Sequence, residues 1–357
     1  MNRAFPFRSR ARSLVAIAAS LFWILAISPI SAKKAKAPSQ PHWRNFVNYQ
    51  ATADLSARGV HSRFQDQWGG EFTLGLDAYG KISNWDQDLA TFVLQLYSGR
   101  IENHPIGRPG YNGRDDWDFF AKIASINFHV RSDRRLNLKV GHFELPYGLE
   151  ASINSNGTLR QFSHPTNLGQ KLDWGATLNG TFPKFQYEIG LSRGSGIDYE
   201  SRGSHYALAG RIGTPIDTEN FWGTPSVGLS FYQAKLLRPN GSLQDRWRVG
   251  IDGQYYIGPV GLLGELSAGE TESETTINSL AEFNLTNSRE TFLAYNQLRW
   301  IHQREAQGWD DSGSLAFGVR YAPDTHWALS AQFTQQLWQL ASRSTDQILS
   351  LQMRYRF

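Results

Sequence analysis

Apolar and polar residues alternate one for one along most of this chain, and that rhythm restricts it to strands. Leu172, Trp174, Ala176, Leu178, Gly180 and Phe182 interleave with Asp173, Gly175, Thr177, Asn179 and Thr181. Successive side chains of a strand point to opposite faces, so this segment has one apolar and one polar face, whereas a helix would need a period of 3.6. After a turn at Pro183 and Lys184 the rhythm resumes, with Phe185, Tyr187, Ile189 and Leu191 against Gln186, Glu188, Gly190 and Ser192. It recurs over 72–78, 136–140, 247–257, 315–321 and 327–333. A soluble sandwich also alternates. What separates the two is the polar face, which here carries Lys139, Arg246, Arg248, Asp252 and Arg320, as a wet lumen would, while aromatics crowd the strand ends as an interfacial girdle does. The fold class expected is all-β, a transmembrane antiparallel β-barrel.

Strands are read near 45–55, 70–82, 88–101, 118–131, 135–146, 171–182, 185–195, 204–213, 225–236, 245–257, 260–270, 277–286, 290–302, 313–322, 326–338 and 347–357. That makes about sixteen, or about fourteen if the weak segment 277–286 is not a strand. With both ends on the periplasmic side, connections after even strands are short turns and those after odd strands are outer loops. The tight turns at Ser132–Arg134, Pro183–Lys184, Gly258–Pro259 and Ala322–Thr325 all fall after even strands. A barrel of this size encloses water.

The amino terminus reads as an address. Arg3, Arg8, Arg10 and Arg12 precede the apolar run Leu14–Ile27, and the small residues Ser31, Ala32, Ala35 and Ala37 follow, the layout of a secretory signal peptide. Residues 1–37 are assigned to signal and processing, with cleavage after Ala32 or Ala37, and 38–357 to the barrel. No later stretch reaches the roughly 18 apolar residues of a membrane helix. With no Cys among the 357 residues, disulfides, thiolate zinc sites and haem attachment are excluded, and no cofactor is expected. The net charge of +4 is mild and no basic run follows the amino terminus, so nucleic acid is not an expected partner.

The last residues alternate strictly. Leu349, Leu351, Met353, Tyr355 and Phe357 form one face, Ser350, Gln352, Arg354 and Arg356 the other, and the chain stops on the aromatic. This resembles the carboxy-terminal strand signal of bacterial outer-membrane proteins, which implies recognition by the barrel assembly machinery, a place among outer-membrane lipids and a Gram-negative source. The run Val140-Gly141-His142-Phe143-Glu144-Leu145-Pro146-Tyr147-Gly148-Leu149-Glu150 resembles the Gly-x-Phe-x-x-Pro-Phe/Tyr-Gly-like motif of the porin O/P family of phosphate-selective porins. The match is local, with only the general layout agreeing elsewhere. Pro146 and Gly148 end strand pairing and send the chain into a loop, the third outer loop, from about Tyr147 to Gln170. The resemblance implies a third loop folded into the lumen, making Glu150, Asn154, Asn156, Arg160, Gln161 and His164 constriction candidates. It also implies passive passage of small hydrophilic solutes and assembly as a homotrimer.

Charge is the remaining handle on what passes. Alternate residues project Arg131, Lys139, Arg211, Arg246, Arg248, Arg299, Arg320, Arg354 and Arg356 inward, against Glu71, Asp77, Asp173, Glu188, Asp252 and Glu265. The balance tilts weakly to anions, because a narrow channel magnifies fixed charge, although pairing across strands would stiffen the wall and cancel part of it. A second reading is a barrel that sheathes or docks a periplasmic partner such as an electron-transfer protein. A third is a barrel enzyme, but Ile153 stands where Ser155 would need a His two places before it, and a Ser without a base is a poor nucleophile. The chain is therefore read as a non-enzyme. The nine His show no paired metal spacing. Asp115, Asp116 and Asp118 read as a solvated outer loop, and Glu270, Glu272, Glu274, Asp310 and Asp311 as loop tips.

Overall fold

The computed structural model describes residues 46–84, 87–103, 117–153, 155, 157–199, 203–215, 225–238, 240–305, 308–338 and 346–357. The signal segment, Asn154, Asn156, Asp115 and Asp116 lie outside the described residues.

Sixteen strands run in chain order: β1 Phe46–Ser62, β2 Gln67–Ser83, β3 Asp88–Glu102, β4 Asp118–His129, β5 Asn137–Glu144, β6 Leu172–Thr181, β7 Gln186–Ser192 and β8 Tyr206–Gly213, then β9 Ser226–Leu237, β10 Leu243–Ile257, β11 Val260–Thr271, β12 Glu274–Thr286, β13 Phe292–Glu305, β14 Gly308–Tyr321, β15 Trp327–Trp338 and β16 Gln347–Arg356. Each pairs antiparallel with its sequence neighbours, and β16 returns to β1 to close the barrel. The seam sets Asp54 opposite Arg356 and Ser62 opposite Ile348, and the main chain of Phe357 exchanges hydrogen bonds of 2.7 and 3.0 Å with Ala53. Closure leaves no strand edge unpaired, which is the condition for a sheet to exist in lipid.

The alternation sorts residues between inside and outside. On β9, Val227, Leu229 and Phe231 face out and are exposed, while Ser226, Ser230 and Tyr232 face in and are buried. Ile251, Leu266, Phe317, Leu351 and Met353 continue the outer belt, each 43 to 51% exposed, an apolar surface that lipid solvates and water does not.

The fourteen-strand alternative falls, because 277–286 lies inside β12. β1 is longer than read and joins β2 through residues 63–66. Asp310 and Asp311 lie within β14 rather than at a loop tip; Asp311 accepts from the indole of the neighbouring Trp300 at 3.2 Å. The four tight turns all follow even strands, yet β11 and β12 are joined at the opposite end by Glu272 and Ser273, both at positive φ (52° and 81°), the hairpin geometry of a primed turn. Turn length alone therefore does not distinguish the two ends.

Candidate functional site

The longest connection, residues 145–171 between β5 and β6, is the third loop, L3. Two glycines of the Val140–Glu150 run launch it. Gly141 has φ 126°, and a Cβ there would stand 2.1 Å from the carbonyl oxygen of Ala124; Gly148 has φ 54°, and a Cβ would stand 2.2 Å from the Glu265 carboxylate. Only glycine fits either place. The Gly148 N–H donates to Ser230 Oγ at 3.0 Å and the Leu149 N–H to Glu265 at 2.9 Å, which turns the chain inward onto β9 and β11.

L3 then runs along the inner wall. Its apolar residues dock in two clusters: Leu145, Tyr147 and Leu168 against Ala207, Ala209, Tyr232, Ala234 and Leu236 of β8 and β9, and Leu149 and Phe162 against Leu263 and Leu280 of β11 and β12. Its tip reaches β16, where Gln352 donates to the Gly157 carbonyl at 3.4 Å and the Arg354 guanidinium lies over Gly157. On the return, Arg160 makes a bidentate pair with Glu282 at 2.6 and 2.9 Å. Gln161 and Gln297 exchange main-chain to side-chain bonds of 2.9 and 3.0 Å. The helical turn α1 (His164–Asn167) is held by Arg248 and Asn278, both donating to Asn167 Oδ1, and by Arg246, donating to the Asn167 carbonyl at 2.9 Å.

These contacts place the sequence-read residues. Arg160 and Gln161 turn to the wall, where β12 and β13 engage them. Glu150 and His164 are buried in the base of L3, 4% and 0% exposed. The Glu150 carboxylate accepts from the His164 N–H at 2.9 Å and contacts the Lys171 ammonium. Ser155 contacts both Glu150 and Lys171. Burial opposes the Lys171 charge, yet Glu144 and Glu150 overcome it and raise its pKa, so the ammonium does not serve Ser155 as a base.

Of the nine cations assigned to the lumen, Arg131 is misplaced. β4 ends at His129, and Arg131 sits in the following turn, bonded to Asp133 at 3.0 Å. The other eight do face inward. Lys139 pairs with Glu188 at 2.7 Å, Arg211 with Asp252 at 2.6 Å, Arg356 with Asp77 at 2.8 Å, and Arg354 with Asp54. Arg246, Arg248 and Arg299 meet neutral oxygens, Arg299 those of Gln161 and Thr166 at 2.9 and 3.2 Å. Arg320 has no hydrogen-bond or ion-pair partner among the described residues and faces Arg354 and Arg356. Asp54, Arg58, Tyr97, Lys171 and Glu282 were not singled out in the sequence. Their signal was available in the inward phase of their strands for all but Lys171, whose place depends on the loop.

Neither a protein-family model nor a curated protein matches the sequence. Solved structures do share the fold. The anion-selective porin from Comamonas acidovorans aligns at a TM-score of 0.62 and 12% identity, over 87% of this chain and 100% of that one. The high-pH structure of Pseudomonas putida OprB gives 0.65 and 11%, over 87% and 94%. The outer membrane channel DcaP of Acinetobacter baumannii gives 0.57 and 12%, over 87% and 97%. At these identities the likeness concerns architecture, a sixteen-strand barrel shared with outer-membrane proteins.

Proposed function

We propose that this chain is a porin-like channel of a Gram-negative outer membrane, exported by its amino-terminal signal, which lets small hydrophilic solutes diffuse passively with a weak preference for anions. The observation that carries this reading is a closed barrel with an apolar exterior whose interior holds a loop tethered from β9 to β16. A loop held in this way narrows a wet lumen without needing a partner to do so.

The anion preference rests on what remains after pairing. Four inward cations, Arg246, Arg248, Arg299 and Arg320, lack a carboxylate partner among the described residues, against two inward carboxylates, Glu265 and Asp173, that accept only from hydroxyl and amide donors. In a narrow aqueous passage that excess cationic field attracts anions. Likeness to a porin described as anion-selective agrees with it. Phosphate selectivity is not part of the proposal, because the one arginine of L3, Arg160, is neutralised by Glu282. Assembly as a homotrimer in outer-membrane lipids is part of it, and one of the structural neighbours is described in a trimer form.

A sheath around a periplasmic electron carrier is disfavoured, since L3 runs from its root at β5 and β6 to β16 through the space such a partner would thread. Catalysis is disfavoured by the cationic state of Lys171 beside Ser155.

Single-channel recording of the refolded mature protein in a planar bilayer under a salt gradient tests the proposal. Discrete conductance steps with an anion-side reversal potential are expected. Silence from folded protein would remove the channel reading, and a cation-side potential would remove the anion preference.

A further inference from the structure

At the base of L3, oxygens of Glu144 and Glu150 and a ring nitrogen of His164 lie within 4.8 Å of one another. We propose that these three residues bind one divalent transition-metal cation, with the Lys171 ammonium as its built-in competitor.

The imidazole carries the argument. His164 is 0% exposed, and its Nε2 lies against the Tyr147 carbonyl, so that nitrogen holds the proton and donates it. Nδ1 is the nitrogen that faces Glu150. It is buried, has no hydrogen-bond partner among the described residues, and lies 3.6 Å from the nearer Glu150 oxygen, beyond hydrogen-bond range. A buried polar nitrogen without a hydrogen-bond partner is costly. The arrangement is that of a metal-ligating histidine, whose far nitrogen is fixed by a carbonyl while the near one faces the ion. Ligands about 2.1 Å from a tetrahedral ion stand about 3.4 Å apart, close to the His164–Glu150 separation.

Charge points the same way. Glu144, Glu150 and Glu265 converge on this base, Glu265 through Ser163 and the Leu149 N–H. Lys171 contacts Glu144 at 2.9 Å and also Glu150, so one ammonium sits between the two carboxylates. A divalent ion entering between Glu144 and Glu150 replaces one positive charge with two. Glu144 and Lys171, 22% and 19% exposed, form the accessible side through which the ion enters and the ammonium leaves. One imidazole with two carboxylates suits a borderline cation of the zinc or manganese type.

Zn²⁺ titrated by calorimetry into chelator-treated, tag-free refolded protein is the test, with folding checked by β-sheet circular dichroism. The wild type is expected to take up one equivalent. His164→Ala weakens uptake by about tenfold or more, and Lys171→Met strengthens it, a gain that misfolding does not produce. In a planar bilayer, Zn²⁺ shifts the wild-type reversal potential toward anions, and the shift is absent in His164→Ala. The proposal is overturned if neither wild type nor Lys171→Met binds Zn²⁺, or if His164→Ala, still folded, binds and shifts as the wild type does.

Discussion

The two sides of the lumen are built on opposite terms. From β8 to β13 the inner face is docked against L3, with Ala207, Ala209, Ala234, Leu263 and Leu280 packed under the loop and Arg246, Arg248, Glu265, Glu282 and Arg299 bonded to loop atoms. Across β16, β1, β2 and β3 it is ionic: Arg354 with Asp54, Arg356 with Asp77, Arg58 with Glu71, and Tyr97 bridging both aspartates. One side behaves like the core of a soluble protein that happens to be closed by a loop, the other like a wetted wall. Inward-facing therefore does not mean pore-lining: Arg248 is 2% exposed and bound to a loop atom, whereas Arg320 has no hydrogen-bond or ion-pair partner among the described residues.

The largest effect expected from breaking this asymmetry is on conductance. Deleting residues 153–162 removes the part of L3 that reaches β16, and single-channel conductance is expected to rise several-fold; an unchanged value would mean that L3 does not set the narrowing. Arg160→Ala should come next. It leaves Glu282 buried without its cation, and loosens L3 by about 3 kcal/mol, read as faster amide exchange across 145–171 with the ionic wall unaffected. Gly148→Ala should act in the same direction, since its Cβ collides with the Glu265 carboxylate.

Away from L3 the effects are smaller and concern selectivity. Arg320→Ala should move the reversal potential toward cations more than Arg211→Ala does, because Arg211 is bound to Asp252 and Arg320 has no such partner among the described residues. An equal shift for both would show that pairing does not screen the passage. Arg131→Ala, in a turn beyond the end of β4, should leave conductance and selectivity unchanged.

The strands were legible because lipid outside and water inside enforce a period of two, and most observed ends fall close to those read from alternation, although β14 starts at Gly308 rather than at 313. The exceptions have local causes. Ser56-Ala57-Arg58-Gly59, inside β1, puts small and charged residues where an apolar belt is sought, and Val130, beyond the end of β4, continues its apolar phase. The length of L3 and its launch at Gly148 were also readable. Its docking was not, although the apolar inner face of β9, with Tyr232, Ala234 and Leu236 where a wet wall would be polar, is a signal that something covers it. Pairing of charges was hidden for a different reason: Arg354 and Asp54 lie 300 positions apart, and alternation says which way a side chain points, not whom it meets.

That separation bears on when this molecule comes into being. The hairpin of β10 and β11 closes over Gly258 and Pro259 as soon as both strands exist, whereas the seam needs the final residue. Bringing ends 300 positions apart together costs about 5 kcal/mol of chain entropy, so the seam is the pairing that chain entropy opposes most. Until the seam closes, the sheet has two raw edges, each able to pair with another chain. The ion pairs Arg354–Asp54 and Arg356–Asp77, which bind β16 to β1 and β2, thus act as a clasp whose fastening ends the aggregation-prone life of the nascent polypeptide.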